Sequence, residues 1–530
     1  MGIPSYFSYI VKNHPNIIKK IVKNETNVNN LYLDCNSIIY DIVNMTSDND
    51  LTTPNITKNV IKKIEDFIFL INPDKKIFIA FDGVAPVAKL QQQRERRYKS
   101  WYQNDISQKI FKNVKKNAWN TTAITPGTIF MKELNESLIK YFYSNKNIIL
   151  STSFEYGEGE HKIFEYIRKF PEKHKDEITI IYGLDADLIM LSINHLPISP
   201  NIYLFRETPH FIQNINKDLQ PNENYMLDIP ELSKIITLNM NNNIQLNTLQ
   251  QKNRIYDYIF LCFFLGNDFM PHFPSINIRT GGIDKMLEAY KSTIGNSNEN
   301  LTDGKIIFWK NVRKLVLFLS EKEEEMFQQE MKLRDKREKF NYPTDTPENI
   351  QKKFDALPNY ERQVEKYINP FKNGWEKRYY KTLFKIDVDN DETRIKNISL
   401  NYIEGLEWTM KYYTSGCPNW RWNYNYHYPP LIKDLIKVIP YFETEVVTNV
   451  SKNPISPLVQ LCFVTPKPSL TLLPKPIYDT LILNHPEWYQ TDCDFIWSYC
   501  RYFWESHVEL PEIDIDELEN FIKSNEYLLK

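Results

Sequence analysis

Several acidic residues of this sequence directly follow short apolar runs, and their type and spacing suit metal chemistry. The stretch from Ile178 to Leu191 breaks its apolar first half at Gly183 and then places Asp185 and Asp187 before apolar residues resume. Carboxylates at i and i+2 in such surroundings are costly to bury unless something neutralises them. A divalent cation is one answer. A polar turn between a strand and a helix is the alternative for an isolated Asp-x-Asp.

Five further acids occupy comparable positions, which makes a turn an insufficient explanation for the whole set. They are Asp34, Asp82, Glu158, Glu160 and Asp268. Carboxylates aimed at one rim would repel one another without counter-charge. Two Mg²⁺ ions about 4 Å apart would offset that repulsion and suit in-line displacement at phosphorus. The sequence therefore predicts a two-metal phosphodiesterase site, with direct and water-mediated ligands left open.

A long polar helix is predicted from Val87 to Lys116, immediately after Asp82. It carries nine Lys or Arg against two acids. Four of its residues fall at i, i+4, i+7 and i+8 and so share one face. They are Lys89, Gln93, Arg96 and Arg97. Such a face beside a metal site is suited to holding a terminal phosphate, and an ordinary basic surface helix is the alternative.

Aromatic residues alternate with polar ones near residue 420, as in a strand or an extended loop with one aromatic face. They are Trp420, Trp422, Tyr424, Tyr426 and Tyr428. Core packing is their usual role. An exposed Trp or Tyr close to a nuclease centre would instead stack on unpaired bases, at roughly 1–3 kcal/mol each.

The elements that would position these residues alternate between strands and helices up to about residue 205. Strands are predicted to end near Asp34, Asp82, Phe154 and Gly183, with a fifth at Ile202 to Phe205. Continuously apolar strands separated by helices indicate a mostly parallel α/β sheet buried on both faces. The acids after those strands would then meet at one edge of the sheet, where such folds bind ligands.

Length and composition bound the remaining possibilities. The chain has 530 residues, enough for two or more lobes, and a net charge of −2, so any nucleic-acid site must be local. The six cysteines form no CxxC pair, and no apolar run approaches 18 residues. We therefore expect reduced thiols, an intracellular protein and no membrane span.

The second half changes character. We divide the chain into a nuclease domain at 1–290, a charged helical linker at 291–373 and an aromatic-rich α+β region at 374–530. The charged stretch 318–366 is expected to be a solvated helix or linker. Residues 456–476, with five prolines, are expected to be an extended segment, and 512–530 a short acidic helix.

Taken in order, these motifs resemble the XRN family of 5′→3′ exoribonucleases. The landmarks are Met-Gly-Ile-Pro, LYLDCNSII, FDGVAPVAKLQQQRERR, GEGEHKI, YGLDADLIML, FLCFFLGNDFMPHFPS, GWEKRYYK and GCPNWRWNYNYHYPP. The resemblance spans nearly the whole chain, to about residue 475. It implies a PIN/flap-nuclease-like catalytic core with the second region completing an RNA channel.

The resemblance also implies residue roles. The seven acids would bind Mg²⁺, or Mn²⁺ in its place, and perform catalysis, and the face from Lys89 to Arg97 would bind a 5′-monophosphate. Base stacking would fall to Tyr40, where the family usually has a histidine, and to Trp420, with Trp422 as the competing assignment. We further expect the chain to lack the C-terminal extension of large family members.

The resulting functional hypothesis is a Mg²⁺-dependent, processive 5′→3′ exoribonuclease. It would degrade single-stranded RNA with a 5′-monophosphate to mononucleotides, as in RNA degradation and mRNA decay. A monomer, and a cytoplasmic rather than nuclear location, are expected. The alternatives are a structure-specific, flap-type DNA 5′ nuclease and an RNA-binding protein with an inactive centre. The inactive centre would need a missing acid, and none is missing.

Overall fold

A seven-stranded sheet organises the first half of the protein. The computed structural model describes residues 5–21, 27–110, 119–207, 217, 219–220, 223–241, 246–447 and 453–529. The strands of the sheet are β1 (Ile18–Lys20), β2 (Asn30–Asp34), β3 (Lys76–Ala80), β4 (Ile148–Ser151), β5 (Thr179–Tyr182), β6 (Ile202–Glu207) and β7 (Asn224–Asp228).

Five of the strands are parallel, in the spatial order β6-β5-β2-β3-β4. β7 then pairs antiparallel with β6, and β1 antiparallel with β7. The prediction of a mostly parallel sheet is confirmed. The antiparallel edge was not predicted, because β1 is three residues long and its partner lies about 200 residues away in the chain.

Helices cover both faces of this sheet. The helices of the first half are α1 (Tyr6–Asn13), α2 (Asn36–Met45), α3 (Thr53–Ile71), α4 (Val87–Ile110), α5 (Ile129–Phe142), α6 (Gly159–Lys169), α7 (Pro171–His174), α8 (Asp187–His195), α9 (Ile229–Met240), α10 (Thr248–Phe263) and α11 (Gly282–Tyr290). The alternation of β2 sends Leu31 and Leu33 into the core with α2, α3 and α5, and Tyr32 into the core with α6 and α8. Burial on both faces explains why the strands read as continuous apolar runs.

The second half is mainly helical. Its helices are α12 (Trp309–Glu338), α13 (Pro347–Asp355), α14 (Leu357–Tyr360), α15 (Gln363–Ile368), α16 (Trp375–Leu383), α17 (Glu392–Thr414), α18 (Ile432–Val438), α19 (Pro457–Val464), α20 (Lys475–Asn484) and α21 (Ile515–Asn525). Its strands in the described part of the chain are the antiparallel pair β8 (Phe495–Ile496) and β9 (His507–Val508). The acidic helix expected within 512–530 is α21.

Two expectations for this half differ from the structure. α12 packs against the rest of the protein rather than being solvated. Among its charged residues it has a buried apolar stripe that includes Leu319, Met326 and Phe327. Residues 456–476 are mostly helical rather than extended. Their prolines stand at or beside the first position of α19, of α20 and of the 3-10 helix Lys467–Leu472, where a missing N–H is tolerated. The three-part domain division itself stays a prediction.

The alternating aromatics form an extended loop without regular secondary structure between α17 and α18. Tyr424 and Tyr428 are buried in it, as their usual packing role predicts. None of the helices in the described part of the chain is both long and apolar enough to cross a membrane.

Candidate active site

Most of the predicted acids stand in the segments that follow the parallel strands. Asp34 is the last residue of β2, and Asp82 lies two residues beyond β3. Glu158 directly precedes α6, and Glu160 occupies the first turn of that helix. Asp185 lies between β5 and α8, Asp187 begins α8, and Asp268 follows α10. The shared edge of the sheet therefore brings together acids from distant parts of the sequence.

Glu160 lies at the centre of the closest groups. One oxygen each from Asp34, Asp82 and Glu160 lie within 4.8 Å of one another, and Glu158, Glu160 and His161 form a second such group. Gly159 makes this approach possible, because a Cβ there would lie 2.6 Å from Asp34 Oδ1 and 3.4 Å from Asp82 Oδ1. The glycine between the two glutamates thus has a steric reason.

Asp82 is oriented by neighbours that sequence reasoning missed. Asn36 Nδ2 donates to Asp82 Oδ2 at 2.6 Å, and Asn36 Oδ1 accepts from the Asp82 backbone N–H at 3.0 Å. The Gly159 N–H donates to Asp82 Oδ1 at 2.7 Å. Asn36 follows Asp34 by two residues in the LYLDCNSII motif, and its proximity to that acid was the available signal.

Lys89 connects the acidic set to α4. Its buried ammonium donates to Glu158 Oε1 at 2.7 Å and to Asp268 Oδ2. Burial would raise the pKa of Asp268, but the ammonium of Lys89 outweighs it and holds that pKa well below its usual range. The other oxygen of Glu158 accepts from the Tyr412 hydroxyl at 2.9 Å. Lys89 thus neutralises carboxylates here as well as lining the cavity beside them.

Three other buried acids, Asp34, Glu160 and Asp187, have raised pKa values. Burial, with the neighbouring Asp82 and Asp185, raises the pKa of Asp34 well above its usual range. Burial and Glu158 do the same for the pKa of Glu160. Burial together with Asp268 raises the pKa of Asp187 to about 7. These shifts show a cluster with more negative charge than the protein itself neutralises.

The donor set fits a hard divalent cation. Oδ1 of Asp34 and Oδ1 of Asp187 are buried and have no hydrogen-bond partner in the described part of the chain. Carboxylate oxygens are the ligands that Mg²⁺ takes in proteins, usually few in number and completed by water. A cation would satisfy both oxygens and offset the burial and the repulsion that raise the pKa values.

His161 is a further neighbour of this cluster that sequence reasoning did not single out. Its ring stacks on Tyr412 with centroids 3.7 Å apart, and its buried Nδ1 has no partner among the described residues. Burial, together with the charge of Arg168, holds the pKa of His161 well below its usual range, so the imidazole is neutral. The GEGEHKI motif contains this residue.

The acidic cluster opens into a cavity of about 950 Å³ whose other wall is one face of α4. All four predicted phosphate-binding residues, Lys89, Gln93, Arg96 and Arg97, line it, as do Tyr40 and Asp185. Gln93 Oε1 and Arg97 Nη1 are buried without a partner in the described ranges. Burial lowers the pKa of Arg97 to about 10, which still leaves the guanidinium charged at neutral pH.

The opposite face of α4 packs against the C-terminal part of the chain. Arg94 donates to the carbonyls of Pro511, at 2.7 Å, and Trp488, at 3.1 Å. Lys99 donates to the carbonyls of Trp504 and Ser506. The basic residues of α4 therefore divide into a structural set and a set that faces the cavity.

The two candidate tryptophans lie in different surroundings. Trp422 stacks on the buried Trp408 with centroids 5.2 Å apart, and it packs against the main core. Trp420 is half-buried, with its ring 6.4 Å from Tyr156 in an edge-to-face arrangement. Its carbonyl accepts from the Val87 N–H at the start of α4. Trp420 thus packs beside the loop that carries Glu158, and base stacking by either tryptophan stays a prediction.

Parallel strands ending in a carboxylate cluster, with a cationic helix face across a shared cavity, define an α/β protein with a nuclease-type site. Family models agree with this class. The model described as "XRN 5′-3′ exonuclease N-terminus" matches residues 1–208, and "Xrn1 helical domain" matches 248–370 and 344–529. The chain therefore belongs to the XRN family of 5′-3′ exonucleases, as the sequence motifs indicated.

Curated relatives match along nearly the whole chain. The 5′-3′ exoribonuclease 2 homolog of Drosophila melanogaster is 26% identical over 97% of this chain and 70% of its own length. The 5′-3′ exoribonuclease 1 of Schizosaccharomyces pombe is 25% identical over 100% of this chain and 49% of its own length. Among solved structures, the catalytic core of Rad2 with a DNA substrate is 14% identical, covering 91% of this chain and 99% of that one, with a TM-score of 0.32.

Proposed function

We propose that this protein is a Mg²⁺-dependent, processive 5′→3′ exoribonuclease that degrades single-stranded RNA with a 5′-monophosphate to mononucleotides. The observation that carries the proposal is the single cavity that joins five of the seven acids to Lys89, Gln93, Arg96 and Arg97. Membership of the XRN family and the names of the curated relatives support the choice of RNA.

Two Mg²⁺ ions would be held by the seven acids, Asp34, Asp82, Glu158, Glu160, Asp185, Asp187 and Asp268. When bound, they would supply charge neutralisation and activation of water for attack at phosphorus. Asn36 and the Gly159 N–H keep Asp82 oriented for this role. Tyr412 does the same for Glu158.

The cationic face of α4 would bind the terminal phosphate. Arg97 and Gln93 both line the cavity. Arg97 Nη1 and Gln93 Oε1 are buried, and neither atom has a hydrogen-bond partner among the described residues. A guanidinium fork matches phosphate oxygens in geometry as well as charge. A 5′-triphosphate would bring additional charge and volume to this face and would bind less well.

Processivity would follow because five of the acids and the cationic face of α4 line the same cavity. After one mononucleotide is released, the new 5′-phosphate can enter the same cationic face while the rest of the strand stays bound. Tyr40 lines the cavity beside α4 and could hold the first base by stacking. A stacked base contributes affinity without sequence preference, which suits a degradative enzyme.

The flap-type DNA nuclease is the less favoured function. The likeness to the Rad2 core supports no conclusion about substrate. Both family models and the curated relatives instead come from the exonuclease family. Comparing the rates on single-stranded RNA and flap DNA at equal enzyme concentration separates the two functions, and faster cleavage of flap DNA would overturn the proposal.

The phosphate pocket is tested by matched RNAs that differ only at the 5′ end. We expect the 5′-monophosphate RNA to be degraded much faster than the 5′-triphosphate or 5′-hydroxyl RNA. Arg97→Ala should remove most of that preference by raising KM for the monophosphate RNA, since it deletes a charged contact. Lys109→Ala is the control, because Lys109 is exposed on the same helix and paired with Asp105. Equal rates on all three RNAs would contradict the phosphate-pocket proposal.

The metal assignment is tested by combining Asp185→Ala with Asp187→Ala. We expect the double variant to lose activity in Mg²⁺ while it retains binding of monophosphate RNA, because the cationic face is unchanged. Full activity of the folded double variant would contradict the assignment.

A further inference from the structure

A second cluster of ligand-type side chains lies beside α4, outside the cavity of the candidate active site. It consists of Glu95 on α4, His427 in the aromatic loop (the loop between α17 and α18) and His507 on β9. One oxygen or nitrogen from each lie within 4.8 Å of one another. All three line a second cavity of about 190 Å³, which Arg96 and Asp268 also border.

The distances suit a shared ion. Glu95 Oε1 is 3.5 Å from His427 Nδ1, and Glu95 Oε2 is 3.8 Å from His507 Nδ1. The imidazole centroids lie 5.0 Å apart. Two ligands each about 2.1 Å from a tetrahedral ion are roughly 3.4 Å apart, close to the spacing between the carboxylate and His427.

The ligand atoms are not committed elsewhere to a cation. Glu95 is buried, and within the described residues no Lys or Arg side chain forms an ion pair with it. The nearby Lys99 ammonium is taken up by the carbonyls of Trp504 and Ser506. Burial would raise the pKa of Glu95, but the imidazoles and Lys99 lower it to about 2, so the carboxylate is ionised. Burial lowers the pKa of His427, which leaves its lone pair free at neutral pH.

The three side chains are held in place by their own elements. Glu95 is fixed by the anchoring of α4 through Arg94 and Lys99. His427 is followed by Tyr428, whose hydroxyl donates to the Ser498 carbonyl at 3.0 Å. His507 pairs with Ile496 in the β8–β9 ladder. Such preorganisation lowers the cost of binding an ion.

We propose that Glu95, His427 and His507 form a second metal site, specific for a borderline divalent ion of the Zn²⁺ or Co²⁺ type. Two nitrogens and one carboxylate suit this class, whereas Mg²⁺ takes oxygen ligands. The ion would join α4 to the aromatic loop and the C-terminal region. It would thereby hold the helix whose other face lines the active-site cavity. This role is structural and does not rest on the proposed nuclease activity.

The test uses the full chain, stripped with a chelator and then dialysed against excess Mg²⁺ to occupy the acidic cluster. Zn²⁺ retention is measured by elemental analysis and Co²⁺ binding by visible absorption. We expect about one tightly bound Zn²⁺ per chain, a Co²⁺ spectrum of a low-coordinate, nitrogen-ligated ion and a Zn²⁺-dependent rise in Tm. Glu95→Gln and His507→Asn should each weaken binding by at least about 10-fold, since even outer-shell changes cost that much.

Glu487→Gln is the matched control. Glu487 also lies beside an imidazole, with Oε1 3.3 Å from His485 Nδ1, but it is exposed and belongs to no three-residue group in the described chain. This variant should bind Zn²⁺ as the wild type does. The proposal is overturned if the wild type binds no Zn²⁺ in excess Mg²⁺, or if the Glu95 and His507 variants bind it unchanged. If these variants do not fold, a wild-type Co²⁺ spectrum typical of oxygen ligands alone would overturn it.

Discussion

At the scale of single residues, Asp187 shows how the acidic cluster depends on a counter-ion. The residue starts α8 and is buried, and burial with the neighbouring Asp268 raises its pKa from 3.8 to about 7. Without metal, the folded protein therefore binds this proton more tightly than the unfolded chain does. The resulting stabilisation is fully present below about pH 4 and is lost as the pH rises through about 7.

We predict that Asp187→Asn stabilises the metal-free protein above pH 7, by roughly 1–4 kcal/mol in the free energy of unfolding. The amide carries no charge to bury, and the advantage should shrink towards pH 4. Urea unfolding in a chelator across this pH range measures the effect, with the exposed Asp176→Asn as control. In saturating Mg²⁺ the wild type should be the more stable of the two proteins. A constant difference at all pH values would contradict the prediction.

At the scale of elements, α12 shows why charged sequence does not always mean a solvated helix. Glu323 is buried, and its carboxylate accepts from the backbone N–H groups of Ile432, at 2.7 Å, and Lys433, at 3.0 Å. It thereby caps the start of α18 from another helix. Further along, Arg334 forms a buried ion pair with Glu365. These buried side chains thus find polar partners in distant parts of the sequence, although burial still raises the pKa of Glu323 to about 8.

Replacing Glu323 by Ala should destabilise the protein by about 2–4 kcal/mol, because two backbone N–H groups lose their acceptor in a buried place. The exposed neighbour Glu324→Ala should change stability by less than about 0.5 kcal/mol. Thermal and urea unfolding of the two variants provide the comparison. Equal stability of both variants would show that the cap contributes nothing.

At the scale of the whole molecule, α4 joins the two halves of the chain. One face lines the cavity with the acids, and the other donates through Arg94 to the carbonyls of Trp488 and Pro511. The C-terminal region therefore supports the helix that carries the proposed phosphate-binding residues. Stability and substrate binding should accordingly depend on different arginines of the same helix.

We predict that Arg94→Ala lowers the free energy of unfolding by about 2–4 kcal/mol, since it leaves buried carbonyls without donors. Arg96→Ala should leave stability nearly unchanged and instead weaken the binding of 5′-monophosphate RNA. Urea unfolding and RNA binding measured on both variants form the test. If Arg96→Ala proves the more destabilising of the two, this division of α4 is wrong.

Much of the site followed from the sequence because its geometry is built into the fold class. Carboxyl ends of parallel strands meet at one edge, so acids after β2, β3 and β5 had to converge once the apolar runs were recognised as strands. The helical period likewise put Lys89, Gln93, Arg96 and Arg97 on one face of α4, and all four line the cavity. The family motifs in the sequence agreed with the family models.

The remainder was decided only by tertiary structure. The local pattern of α4 does not show that Lys89 pairs with Glu158 and Asp268, or that Arg94 bonds to Pro511 about 400 residues away. The same holds for the Glu323 cap and for the meeting of Glu95 with two histidines. Periodicity reports which residues share a face. The partner that packs against that face comes from a distant part of the sequence. Hydrogen bonding and burial determine this partner only in the folded chain.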